Sequence, residues 1–428
     1  MADLQAAAAL QTQRQIAHWV LAASRLALDD LAGDVAWGRL EQYLGLALRR
    51  HLQSKVDALA ADAQVLLAHA QAARSPAAQA QVRRLLLAFR RQYLRTETTL
   101  DFFADAINTR TNPQVAAMLR ACDSLAYRSM SQVLDELGHP TPVVLTYLDS
   151  GAGAAIMKAG LRLWDGGAVC PVATIKITRH NLLRPTALIH EAGHQVAHIT
   201  GWNDELRTLL QHGLALVSAQ AGSRGELADV WASWASEIAA DAFAFGHTGF
   251  ASVAALHDVL SGEPSLVFRF SPGDPHPVSY LRVQLGAALC RHCYGAGPWD
   301  DLEFAWTGLH PLERVDSGTR ALITASQPLL PELARLLVET PMRCFRGRSL
   351  RELLRPERVS PAALDELQAT LGPALFSSAH WLWTEPLRTL GLTGLQLARC
   401  GGQPQEAKRI LEQQQQSMLR MGGALQAA

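Results

Sequence analysis

The chain has 428 residues, 49% of them hydrophobic, and its 39 basic and 39 acidic side chains cancel to a formal charge of zero. A chain of this length and apolar content can bury ample core, which predicts two or three domains or lobes. The charge balance argues against nucleic acid or an anionic membrane surface as a partner.

Met1-Ala-Asp-Leu-Gln-Ala6 lacks the basic stretch and apolar core of a secretion signal. No run of about 20 apolar residues exists to cross a bilayer. Six cysteines, at 122, 170, 290, 293, 344 and 400, are too few and too scattered for a disulfide scaffold, so the expected compartment is the cytoplasm. Lysine occurs only at 55, 158, 176 and 408; the excess of Arg and Ala reads as coding bias rather than as a binding signal.

From Leu4 to about Gly138, apolar residues recur at three- and four-residue spacing, in Ile16–Leu31, Leu40–Ala73, Val82–Tyr93 and Val115–Leu137. That period predicts an N-terminal helical domain over 1–138, broken at Gly33, at Arg74-Ser-Pro76 and at Asn108 to Pro113. Arg83, Arg84, Arg90, Arg91 and Arg95 read as a solvated helix face rather than a docking stripe. Around His139-Pro-Thr-Pro142 the character changes, and strands are expected near 143–148, 161–164 and 172–178. Gly151-Ala-Gly153 is a turn, too short for a phosphate loop. The β-branched Val172–Thr178 could be an edge strand that aligns an extended peptide.

The strands lead into Thr186-Ala-Leu-Ile-His190-Glu191-Ala-Gly-His194-Gln-Val-Ala-His198, an apolar helical run. On a helix His190 and His194 sit one turn apart on one face, so both imidazoles can reach one zinc ion at about 2.0–2.1 Å. Glu191 leaves the helix about 100° round from His190 and can take the proton of an attacking water. Pro185 suits the start of this helix and Gly201 its end. Ala192 and Gly193 leave room for a close neighbour.

A catalytic zinc needs a third protein ligand. His198 lies two turns, about 12 Å, from His190 and cannot close the same tetrahedron. Downstream, Trp231-Ala-Ser-Trp-Ala-Ser-Glu237-Ile-Ala-Ala-Asp241-Ala-Phe-Ala-Phe245 places two acids one turn apart among apolar residues. Either acid could bind the metal. A glutamate on zinc, with the aspartate hydrogen-bonded to a ligand histidine, would satisfy both buried carboxylates. Farther on, Ser271-Pro-Gly-Asp-Pro-His276-Pro277 is a rigid turn whose histidine could face the metal, either as an oxyanion donor or as a latch. Arg282 could hold a carboxylate, Asp241 or one of the substrate, in a bidentate pair.

His190-Glu191-x-x-His194, Glu237-x-x-x-Asp241 and His276-Pro277-x-x-x-x-Arg282 together resemble the gluzincin metallopeptidases, in particular the branch of the HtpX heat-shock protease and the CAAX prenyl proteases. The resemblance covers roughly residues 140–295. It implies one Zn²⁺ per chain on His190, His194 and Glu237, catalysis by Glu191, Asp241 behind a ligand histidine, and supporting roles for His276 and Arg282. Those relatives are embedded in membranes and this chain has no candidate span, so prenylated or membrane substrates are not expected.

Cys290-Arg-His-Cys293 is a lone pair with no partner pair and reads as two small residues on an apolar helix. Beyond it the chain is helical again near Leu322–Val338, Ser349–Leu354, Pro361–Leu371 and Leu387–Leu397, with Gln413–Gln416 expected to fray and His310-Pro311 in a loop. Nothing in this third has catalytic spacing; cover, homo-oligomerisation, a regulatory partner or substrate selection are all open to it.

The expected fold is mainly α with a small mixed β-sheet: a zincin-like core over 139–295 flanked by helical regions over 1–138 and 296–428. The expected function is that of a soluble zinc-dependent metallopeptidase acting on peptide or protein substrates. The alternative is an inactive or latent zinc-binding relative that works by binding a protein partner.

Overall fold

The computed structural model describes residues 2–151, 154–157, 172–182, 184–220 and 226–427. These are mainly helical, with one three-stranded sheet. The strand expected at 161–164 and most of the 151–153 turn lie outside them. No described helix is long and apolar enough to cross a membrane.

The described residues fall into two compact units, which divide at 111/112 where the sequence suggested 138/139. The first holds α1 (Ala2–Arg25), α2 (Asp34–Leu44), α3 (Leu48–Ala72) and α4 (Pro76–Asn108). Ile16, Leu59, Leu66, Leu86 and Phe89 face one another at its centre, as the three- and four-residue spacing requires. Ser75 caps α4 by accepting from the Ala78 N–H at 3.2 Å, with Pro76 at the first helical position. The five arginines of α4 point to solvent.

The second unit carries everything else, including 296–427, with no separate C-terminal body among its described residues. It begins with α5 (Pro113–Leu134), β1 (Val143–Leu148), β2 (Ala155–Met157) and β3 (Val172–Ile177). Then come α6 (Thr186–Thr200), α7 (Trp202–Gln220), α8 (Glu226–Ser233), α9 (Ala235–Thr248), α10 (Phe250–Leu260), α11 (Pro264–Val267) and α12 (Ser279–Tyr294). The remainder is α13 (Pro298–Leu309), α14 (Ser317–Ser326), α15 (Leu330–Glu339), α16 (Leu350–Leu354), α17 (Pro361–Leu371), α18 (Ala379–Thr384), α19 (Pro386–Arg399) and α20 (Pro404–Ala427).

The sheet order is β1-β3-β2, with β1 parallel and β2 antiparallel to β3. The expected edge strand is therefore the central one. Its run Val172-Ala-Thr-Ile is buried on both faces, which is the reason it carries an almost continuous apolar sequence. Among the described residues the short β2 pairs on one side only. Asp123 of α5 pins the sheet to the helices by accepting from the Thr146 backbone N–H at 2.6 Å and its hydroxyl at 2.7 Å, all of it buried.

The close crossing of α6 and α9 sets the site. A Cβ on Gly193 would lie 3.0 Å from both the Ala240 Cα and the Phe243 Cβ, so glycine on one helix and alanine on the other let the backbones approach. Farther out, α20 packs on α5 rather than fraying. A Cβ on Gly422 would fall 1.8 Å from the Ala117 carbonyl oxygen, and buried Gln414 accepts from Thr393 Oγ1 at 2.8 Å. Of the glutamines that looked solvent-bound, Gln414 finds an internal partner there, whereas Gln415 and Gln416 are exposed.

Gly193→Ala should force α6 and α9 apart and destabilise the protein by about 1–3 kcal/mol, the usual cost of overpacking a close contact. The check is the urea midpoint; an unchanged midpoint would show that this crossing has slack.

Candidate metal centre

Two elements deliver the three groups that could hold a metal. Helix α6 starts at Thr186, ends at Gly201 in the left-handed conformation at φ +75°, and presents His190, Glu191 and His194. The run that looked like one helix from Trp231 breaks at Trp234, so Glu237 and its neighbour Ser236 stand in the first turn of α9. His190, His194 and Glu237 offer ligand atoms that all lie within 4.8 Å of one another. Glu237 Oε1 is 3.2 Å from His194 Nε2 and Glu237 Oε2 is 3.5 Å from His190 Nε2. A tetrahedral ion with bonds of 2.0–2.1 Å needs its ligands roughly 3.3 Å apart, so the donor set and its spacing fit a metal ion.

Behind the ligand atoms, each imidazole is held by its other nitrogen. His190 Nδ1 lies 2.9 Å from Asp241 Oδ1, in a contact too bent for a linear hydrogen bond. His194 Nδ1 lies 3.2 Å from the Ser236 hydroxyl, which Asn203 Nδ2 approaches at 3.5 Å. Such partners fix which nitrogen faces the metal. Ser236 was invisible in the sequence, because a serine beside a ligand glutamate has no spacing signature.

Arg282 of α12 closes the cluster. Its Nε donates to Asp241 Oδ2 at 2.5 Å and its Nη2 to Asp241 Oδ1 at 2.9 Å, while Nη2 also reaches Glu237 Oε2 at 3.1 Å. Burial alone would push the Asp241 carboxyl up, yet Arg282 and His190 hold it down to about 2. Burial likewise opposes the Glu237 carboxylate, but its contacts with His190, His194 and Arg282 keep it well below the usual carboxylate range. His190 is the converse: burial would lower it, and the adjacent carboxylates of Asp241 and Glu237 raise it to about 10.

Glu191 lines the same cavity and is 7% exposed. His276 is half-exposed, with Nε2 3.7 Å from Glu237 Oε1. Asp274 holds that ring: its Oδ1 accepts from the His276 backbone N–H at 3.0 Å and from Nδ1 at 2.7 Å. Asp274 is the second residue sequence reasoning missed, although an aspartate two residues before a histidine in a Pro-Gly turn is the available signal. His198 is exposed on the outer face of α6. Cys290 and Cys293 lie on α12; burial pushes the first thiol well up and the second to about 12, so neither is a ready thiolate.

The cavity has a volume of ≈ 500 Å³ and two unlike walls. One is the polar cluster. The other is apolar, built from Val253, Leu256, Val259 and Leu260 of α10 with Leu285 and Leu289 of α12, and Ala154–Ile156 at β2 border the opening. Compared with protein-family models, with curated proteins and with solved structures, the chain matches none.

Glu237→Ala should abolish stoichiometric metal, whereas Asp241→Asn should weaken metal affinity by about 10–100-fold, the usual effect of losing a partner behind a ligand histidine. Metal analysis of the purified variants decides. Loss in Asp241→Asn with full retention in Glu237→Ala would exchange the two roles.

Proposed function

We propose that the chain is a zinc-dependent peptidase of the cytoplasm. The single observation that carries the reading is the convergence of His190, His194 and Glu237 in one cavity with Glu191, an acid outside the group of candidate metal ligands. A bound zinc ion would supply Lewis acidity and make a water nucleophilic near neutral pH, at a pKa of about 7.

The chain's own groups do the remaining work. Glu191 accepts the proton of the attacking water as its oxygen bonds to the carbonyl carbon, and returns it to the amide nitrogen as the C–N bond breaks. His276, in the form that carries both ring protons, gives its Nδ1–H to Asp274, presents Nε2–H on the side of Glu237 and donates to the oxyanion from there. Arg282 keeps Asp241 and Glu237 charged and in place. A peptide in extended form adds its backbone to the side of β2 that is unpaired among the described residues and sets an apolar side chain against Val253, Leu256 and Leu289. The five described cysteines, all free thiols, suit a reducing compartment.

Glu191→Gln should retain metal and fold while losing at least about 10²-fold in kcat on a cleavable peptide, the range of a removed general base. Proteome-wide cleavage profiling of wild type against this variant identifies such peptides; no difference between the two profiles would sink the peptidase reading. His276→Ala should lower kcat by on the order of 10²-fold with metal retained. Higher basal activity would show instead that His276 blocks the site.

A further inference from the structure

A second cavity, of ≈ 60 Å³, is lined by Arg128 of α5, His247 of α9, Arg358, and Thr384 to Arg388, which run from the end of α18 into the first turn of α19. Its charge is unbalanced. Three arginines, Arg128, Arg358 and Arg388, line it with one carboxylate, that of Glu385, which lies 3.4 Å from Arg358 and 3.5 Å from Arg388. Arg388 also donates to the carbonyls of Arg358 and Ala363. Arg128 rests on the Trp383 ring at 3.8 Å, and its buried Nε has no hydrogen-bond partner. The first turn of the 14-residue α19 completes the wall without a side-chain cap.

His247 is the independent clue. It is 4% exposed, lines this cavity, and its Nε2 has no partner. Its hydrogen bond to the Ser129 backbone falls to Nδ1, since Nε2 is free. Burial pushes the imidazole down to about 3, so the ring is neutral and Nε2 is an acceptor.

We propose that this cavity binds a phosphate group that still carries a proton, either free phosphate or a monoester. Guanidinium forks and a helix N-terminus are the usual hosts of an oxyanion, and the volume equals about two waters, enough for one tetrahedral group. The P–O–H donates to His247 Nε2, while the charged oxygens take the guanidinium and helix N–H donors. Sulfate, with no proton at neutral pH, sets a lone pair against a lone pair there.

Calorimetric titration of the full chain at pH 7 with inorganic phosphate, sulfate and glycerol 3-phosphate tests this. Phosphate should bind once per chain and at least about ten-fold more tightly than sulfate, the size of one unmade buried hydrogen bond. Arg128→Gln and Arg358→Gln should each weaken phosphate by about ten-fold or more. His247→Phe should erase the preference for phosphate over sulfate; should that variant fail to fold, the wild-type ratio and the exposed Arg358→Gln decide alone. Glycerol 3-phosphate matching inorganic phosphate names a monoester as the source, and its failure to bind names the free ion. No saturation by about 10 mM phosphate, equal affinity for sulfate, or indifference to both arginine substitutions overturns the proposal.

Discussion

The guanidinium of Arg282 sits between the carboxylates of Glu237, which is buried, and Asp241, which is largely so, and the arrangement of the polar cavity follows from it. Glu237 and Asp241 project from one face of α9, close enough to repel, in a place where isolated charges are costly. One cation that contacts both relieves the repulsion, while each carboxylate still meets an imidazole, Asp241 Oδ1 that of His190 and Glu237 Oε1 that of His194. Losing one partner of a buried pair of this kind typically costs about 3–5 kcal/mol, because the other charge stays behind. That cost binds α12 to α9, and with α12 come Leu285 and Leu289, which form part of the apolar wall. The geometry of the candidate metal site and the shape of the pocket thus share a fastening.

The two crossings that place α9 work by different physics. Against α6 it uses absence of side chain, at Gly193 and Ala240, so that His190, His194 and Glu237 can approach to metal-ligand distance. Against α12 it uses charge. The first crossing is intolerant of volume and the second of neutralisation, and both converge on the same fourteen residues of α9.

How much of this could be read from the sequence depended on the range of the contact. His190, Glu191 and His194 share one helix, so a four-residue spacing is enough to put them on a face, and the mainly helical class followed from periodicity in the same way. Partners across space left no such trace: Ser236 and Asp274 are ordinary polar residues until the fold brings them to a histidine. The central position of β3 depended on β2, three residues long, which is too short to announce itself. Helix α5 looked like part of the N-terminal domain because amphipathic period reports that a helix has a buried face and not which neighbour buries it. The glutamines of α20 looked solvent-bound because polarity was the visible property, whereas Thr393 supplies a buried partner for Gln414.

The seam between α5 and α20 has a consequence for synthesis. Arg120 donates to the carbonyl of Gly422, and 302 positions of chain separate the two. At 5–20 residues per second a ribosome needs about 15–60 s to make that interval. Throughout it, α5 has left the exit tunnel with Ala117 and its neighbours uncovered, although the same helix already anchors β1 through Asp123. The sheet is complete from Ile177 onward, yet the face of α5 that α20 covers stays open to solvent until α20 is made.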